Sequence, residues 1–495
     1  MTAKFPLDVR DAFKALPDEA SHIATQEPDR GRVFTPENHQ GALDPHRSVV
    51  VGDRGTGKSF WSSVLISPGI RNVVASRYPR LGLNNVDGRL GFSNDEMKAG
   101  HPVRSEIAAI IGAGHRAEDL WRGVLLRLAP FRPAGAPADN AGWQATVDWV
   151  AADPARRNTD FRTLDETLIK AGKTYVLVVD ALDVIADNWD AIRTQMEGLI
   201  RLALAVRALQ AVRVKLFIRP DMADDRRLWA VGDASKLRHN EVTLAWKRRD
   251  LYGLLWTLLA TSSGAAESAA RAFREHCASA FGMRFEDQDG SWRAPRELVE
   301  DEDRQQEVFH ALAGEWMGAD RRRGDTYRWV PNHLSNSQGY AAPRSFLLAM
   351  RDAATRTTSL EAVLDRGGIE SGARVASKTR HGELSEDYRW MDTALNAMEH
   401  MIVPIPREEL IDRWCDRRTL QALRDVAGSA NRDRRFIPPG DVLETDGERE
   451  AYAKLIEQLI RLNIMFRLSD GRINMPDLFR LQANIKRRGG MKPRA

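Results

Sequence analysis

The residues with the clearest chemical potential are Gly52-Asp53-Arg54-Gly55-Thr56-Gly57-Lys58-Ser59, with Phe60 following. Their types and spacing match G-x-x-x-x-G-K-[ST] in full. Glycines at these positions let successive backbone N–H groups curl around phosphate oxygens, and a helix starting there adds its partial positive charge. Lys58 is spaced to reach the terminal phosphates of a nucleotide, and Ser59 to offer its hydroxyl to Mg2+. ATP and Mg2+ are therefore the expected cofactors, with Gly52 to Phe60 lining the nucleotide.

Two further groups stand at the ends of apolar runs. Tyr175-Val176-Leu177-Val178-Val179 ends at Asp180, and Val212 to Ile218 ends at Arg219. Ligands of open α/β sheets bind beyond the carboxyl ends of the strands. Asp180 is thus expected to hold the magnesium ion, or a water bound to it, opposite Ser59. Asp183 follows in Asp180-Ala181-Leu182-Asp183 and reads either as the group that orients an attacking water or as a structural acid. Arg219 is expected to face the γ-phosphate, the alternative being an ion pair with Asp221 or Asp180.

These side chains need a rigid sheet behind them. Arg47-Ser48-Val49-Val50-Val51 reads as a buried strand feeding the glycine-rich loop, and Phe60 to Leu65 continues as a helix. Residues 191–209 carry apolar positions at helical spacing. Strands alternating with helices predict a parallel α/β sheet. The expected order is an N-terminal segment (1–46), an α/β core (47–245) with a mainly helical insertion at about 79–160, and a helical lid (246–365). A linker (366–388), a winged-helix-like domain (389–485) and a basic tail (486–495) complete it. The C-terminal domain is read from helices followed by alternating apolar residues around Asp470-Gly471, a strong hairpin signal.

The sequences GDRGTGKS, VLVVDALD and LFIRPD together resemble P-loop ATPases with an additional strand between the two nucleotide motifs, the group holding AAA+ and STAND proteins. An arginine ending the third strand, and the Asp-Ala-Leu-Asp spacing, are similar to STAND proteins. Gly339-Tyr340-Ala341-Ala342-Pro343-Arg344-Ser345-Phe346-Leu347 resembles the lid helix of origin-recognition-type ATPases, which implies that Arg344 is a second γ-phosphate sensor. The resemblance covers roughly residues 32–362 and extends to a C-terminal winged helix. It implies a P-loop NTPase core with a helical lid that hydrolyses ATP. Ala181 stands where AAA+ proteins carry a catalytic glutamate, and Val184 replaces an acid common in STAND proteins, so slow turnover and a switch-like role are implied. The general look is also similar to bacterial ATPases of conflict and antiphage gene clusters.

Composition bounds the rest. Charge is nearly balanced, 73 basic against 69 acidic residues in 495, so a strongly basic nucleic-acid binder is not announced. No stretch approaches the ~18 apolar residues of a membrane span, and Cys277 and Cys415 stand far apart, which fits a reducing cytoplasm. H-E-x-x-H, H-R-D and D-F-G do not occur, so zincin and protein-kinase chemistry are excluded. In the C-terminal block, Arg467 and Arg472 flank Asp470, while Arg407 to Trp414 and Asp446 to Tyr452 mix signs. A protein partner, or docking on the chain's own core, is therefore expected ahead of duplex DNA. Arg432, Arg434, Arg435 and the tail (Lys486, Arg487, Arg488, Lys492, Arg494) are the basic residues that argue the other way.

Overall fold

A computed structural model describes residues 4–17, 24–97, 100–288, 291–429, 433–439 and 441–487. They form two compact units, Ser21–Ala245 and the combination of Met1–Ala20 with Trp246–Ala495.

The Ser21–Ala245 unit is a parallel α/β sheet with helices on both faces. Its strands are β1 (Val49–Val51), β2 (Val86–Phe92), β3 (Thr174–Val179), β4 (Val212–Ile218) and β5 (Val242–Thr243), in the order β2-β3-β4-β1-β5. Every neighbouring pair is parallel, with Val50 opposite Phe217 and Val178 opposite Lys215. Period-two alternation divides the core. Val49, Val51, Leu177, Val179, Leu216 and Ile218 face a layer containing α2 (Ala117–Leu128) and α3 (Trp189–Val206). Val50, Val176, Val178 and Phe217 face α1 (Lys58–Ile66).

Strand β2 lies inside the segment expected to be a mainly helical insertion. That segment does hold helices, but Val86–Phe92 supplies the edge of the sheet, paired with β3 alone. Gly88, Gly91, Asp87 and Arg89 dilute its apolar pattern, because an edge strand needs less apolar surface than a central one. Lys215 is the odd residue of β4. It is fully buried, and its ammonium donates to the carbonyls of Ala42 (2.8 Å) and Asp44 (2.7 Å), which ties the segment before β1 to the sheet. Burial pulls its pKa down to about 7.

The second unit is mainly helical. Its first long helix, α4 (Arg248–Thr261), is buried along nearly its whole length, and Tyr252 sits among Trp256, Phe309, Tyr327 and Phe346. Residues 4–17 belong here, whereas residues 24–46 of the expected N-terminal segment belong to the sheet unit. Phe5, Val9 and Phe13 are buried, and Arg10 donates to the carbonyls of Ser359, Ala362 and Val363 at 2.6–3.0 Å. A hairpin of β6 (Glu286–Gln288) and β7 (Ser291–Arg293) follows α4. After two further helices over Arg296–Glu300 and Glu302–Ala313 come α5 (Thr326–Leu334), α6 (Pro343–Arg356) and α7 (Arg366–Asp387).

Helix α7 corrects a second expectation, that residues 366–388 form a linker. Its glycines read as flexibility, but two of the four serve close packing: a Cβ on Gly372 would lie 2.1 Å from the Ala349 carbonyl oxygen of α6, and one on Gly368 2.4 Å from that of Ala353. Asp365 caps the helix by accepting from the Gly368 amide.

The C-terminal part runs α8 (Arg389–Asn396), β8 (Ile402–Val403), α9 (Arg407–Asp416), α10 (Thr419–Ser429), α11 (Glu448–Arg461), β9 (Phe466–Arg467) and β10 (Ile473–Asn474). Ile473 pairs antiparallel with both Arg467 and Ile405, so the hairpin closes on the segment just after β8. Helices followed by a hairpin that adds to an earlier short strand is the order of a winged helix. The turn is the expected Asp470-Gly471, with Gly471 at φ 85°. Helix α12 (Asp477–Arg480) and β11 (Lys486–Arg487), parallel to β8, close the described chain. Arg432, Arg488, Lys492 and Arg494 lie outside the described residues, as does the side chain of Arg434.

Among the described residues no helix is long and apolar enough to cross a membrane.

Candidate nucleotide-binding site

The glycine-rich loop leaves β1 at Gly52, whose amide donates to the Ile218 carbonyl at the end of β4 (3.0 Å). This bond puts the loop beside Arg219, the next residue of that chain. The loop closes on itself: the Thr56 hydroxyl donates to the Asp53 carbonyl (2.7 Å). Gly57, at φ 100°, is the residue from which α1 starts, and a Cβ on Gly52 would sit 2.6 Å from the Thr56 hydroxyl. Neither position tolerates a side chain without strain. The loop thus runs directly into the N-terminus of α1, where backbone N–H groups lack helical partners.

Lys58, on the first turn of α1, donates to the carbonyls of Gly52 (2.8 Å) and Asp53 (3.1 Å). Burial lowers its pKa, and the carboxylates of Asp183 and Asp180 oppose that shift. Asp180 follows β3 and is 1% exposed; its amide donates to the Phe92 carbonyl of β2. Burial raises its pKa, against the opposing effects of a hydrogen bond with Ser59 and the charge of Lys58. A loop lysine, a serine hydroxyl and a buried aspartate therefore share one end of the sheet. Serine and carboxylate oxygens suit a hard cation such as Mg2+, which takes most of its other ligands from water and phosphate. No group of three or more His, Cys, Asp or Glu that could hold a metal occurs among the described residues.

Ala181 adopts φ 56°, a left-handed conformation uncommon for alanine, and a single 3-10 turn, Leu182–Val184, follows. The bend carries Asp183 to Arg219: its carboxylate lies 2.7 Å from the guanidinium, which also reaches Asp221 at 3.3 Å. Arg219 is 7% exposed. The ion pair weighed for Arg219 thus exists, and Asp183 is its nearer partner. The structure brings Lys58, Ser59, Asp180, Asp183 and Arg219 together. Arg344 lies in the other unit, at the start of α6, with its guanidinium 2.7 Å from Glu383 of α7.

Sequence reasoning missed His39. It is fully buried and bridges three elements: Nδ1 accepts from Trp61 Nε1 of α1 (3.0 Å), and Nε2 donates to the Ala245 carbonyl beyond β5 (3.1 Å). A lone histidine in a polar stretch gives no sequence signal for this. Burial depresses its pKa to about 4. The unfolded chain binds a proton at His39 near pH 6.5 and the folded chain does not, so its contribution to stability is full above pH 6.5. It is lost as the pH falls towards 4, by about 3 kcal/mol in all. Urea midpoints at pH 7 and pH 4.5 check this: the loss on acidification should be clearly smaller in His39→Gln than in the unaltered chain.

No family model and no curated protein matches the chain. Solved structures do align along nearly its whole length. The ORC2 protein of Aeropyrum pernix, solved with ADPNP and ADP, shares 12% identity over 94% of both chains, with a TM-score of 0.39. The ORC1 protein of Aeropyrum pernix in complex with DNA shares 14% over 94% of this chain and 93% of that one, TM-score 0.33. Cdc6p of Pyrobaculum aerophilum shares 12% over 96% and 95%, TM-score 0.26. At these TM-scores the superpositions are loose; the parallel sheet, its loop and the winged-helix order stand on the chain's own geometry.

Proposed function

We propose that this chain is a Mg-ATP-binding P-loop ATPase with slow intrinsic turnover, working as a nucleotide-driven switch. The observation that carries the reading is the convergence of the Gly52–Ser59 loop, buried Asp180 and the Asp183–Arg219 pair at one end of a parallel sheet. Gly52 to Phe60 would cradle the phosphates, Lys58 would neutralise the terminal ones, and Ser59 with Asp180 would hold Mg2+. The ion would supply charge stabilisation to the transferring phosphoryl group. Asp183 is proposed to orient water, and its engagement with Arg219 supports slow turnover, because an attacking water must compete with the guanidinium for the carboxylate oxygens. Arg219 and Arg344 are proposed as γ-phosphate sensors. The test is phosphate release by the full chain: slow turnover expected, abolished by a chelator and at least tenfold slower in Asp183→Asn. Unchanged turnover in that variant removes Asp183 from the chemistry and leaves the nucleotide assignment standing.

For the downstream role, we favour association with duplex DNA over an effector partner in a defence system. The winged-helix order of the C-terminal part supports this. The charge distribution there qualifies how it would bind. Arg467 pairs with Glu457 (2.5 Å), Arg472 with Asp470 (2.7 Å), and Arg449 with Glu408 and Asp412 (2.6 and 2.7 Å). The sign mixing read in the sequence is realised as ion pairs across α9, α11 and the wing. A protein partner for that surface is the second reading, supported by the same pairs.

A further inference from the structure

With the wing arginines committed to acids, duplex association needs cationic surface elsewhere, and one stretch of the same unit provides it. Between residue 316 and α5 the chain makes a tight loop, closed by an antiparallel bridge from Trp316 to Asp325. Its tip is Arg321-Arg322-Arg323, a single 3-10 turn capped by Asp320, and all three side chains are exposed. Among the described residues none of them has an ion-pair partner, and neither does exposed Arg328 on the first turn of α5. The wing arginines Arg467 and Arg472, by contrast, are each paired with an acid. Two exposed acids, Glu315 and Asp320, accompany the four guanidinium groups, so the loop keeps a positive excess. Asp325 is turned inward, accepting from Gln306 and paired with His310 (2.9 Å each).

Beyond Arg328, α5 presents an aromatic pair, and cations recur past its far end. Trp329, half-buried beside Gly324, stacks on His333 with ring centroids 3.8 Å apart. His333 in turn lies 3.3 Å from Asp477 of α12. That one carboxylate is shared with buried Arg480 (2.5 Å) and with Arg487 of β11 (3.5 Å), so two arginines face a single acid. Exposed Lys486 adds another cation with no ion pair among the described residues. A nine-residue helix spans about 14 Å. The arginine loop at one end of α5 and the Lys486–Arg487 strand near the other are therefore separated by roughly four phosphates of one duplex strand along its axis.

We propose that this surface, the Arg321–Arg323 loop continued along α5 to Lys486 and Arg487, is the principal contact of this chain with the phosphate backbone of duplex DNA. It rests on the duplex reading above and moves the main contact from the wing to the α5 loop. Guanidinium forks bind phosphate oxygens bidentately and without base preference, so binding through this surface is sequence-tolerant and salt-dependent.

The experiment is a fluorescence anisotropy titration of the full chain on a labelled 30-base-pair duplex of arbitrary sequence across a salt series. Three proteins are compared: the unaltered chain, the triple variant Arg321→Gln, Arg322→Gln, Arg323→Gln, and the double variant Arg467→Gln, Arg472→Gln. The altered side chains are exposed, and circular dichroism confirms that each variant folds. The triple variant is expected to bind at least tenfold more weakly at 50 mM salt. The slope of log K against log salt should flatten by about three, near 0.9 for each phosphate that is no longer neutralised. The double variant is expected to bind within twofold of the unaltered chain. Unchanged binding by the triple variant, or a larger loss in the double variant, overturns the proposal and leaves duplex association standing. An unaltered chain that does not bind duplex at 50 mM salt overturns both.

Discussion

Replacing Lys58 by alanine is expected to weaken ATP binding by at least a hundredfold. The ammonium sits among the carboxylates of Asp53, Asp180 and Asp183, with Arg219 as the other cation close enough to influence it. In the unaltered chain this charge offsets the repulsion those acids exert on an incoming triphosphate. A hydrogen bond to a charged group contributes about 1.5–3 kcal/mol, roughly tenfold to 150-fold, and the repulsion of the uncompensated acids brings the loss to two orders of magnitude or more. The fold should survive. Lys58 donates only to two loop carbonyls, which solvent can satisfy, and burial of its charge is itself a cost that alanine removes. Calorimetric titration with ATP, alongside a thermal melt, separates lost binding from lost structure.

The second large effect is at Asp180, and it has two readouts that move in opposite directions. Burial raises the pKa of its carboxyl, so between the unfolded and folded values the folded chain holds a proton that the unfolded chain has released. Stability therefore falls as the pH rises through that interval, and once ionised the buried group destabilises the fold. Asp180→Asn keeps an acceptor for the Ser59 hydroxyl but carries no charge. The variant should melt several degrees higher without nucleotide. It should also lose the strengthening of ATP binding by Mg2+ and at least a hundredfold of turnover. A variant melting lower than the parent, or still responding to Mg2+ as the parent does, contradicts the role given to this residue.

What the sequence revealed follows from the kind of signal each element carries. The loop motif was legible because backbone chemistry dictates its residue types, and β1, β3 and β4 because buried parallel strands read as continuous apolar runs. Strand β2 was not, since glycines and two charged residues interrupt an edge strand that packs with one neighbour. Helix α7 was hidden by Gly367, Gly368, Gly372 and Gly382, residue types that mark a linker unless another helix lies close against them. Asp180 and Arg219 were placed by where their strands end. The Asp183–Arg219 pair depends on the left-handed turn at Ala181, and the Arg344–Glu383 pair joins distant positions of the chain; neither has a local signature. His39 is the clearest omission, because its partners Trp61 and Ala245 are brought to it only by the tertiary fold.

That Gly52–Ser59 and Asp180 together form a Mg-ATP site is decided by titrating the unaltered full chain with ATP in the presence and absence of Mg2+. A single site is expected, saturated in both conditions and tighter with the metal. No detectable binding at millimolar ATP, or binding that Mg2+ leaves unchanged, would contradict it.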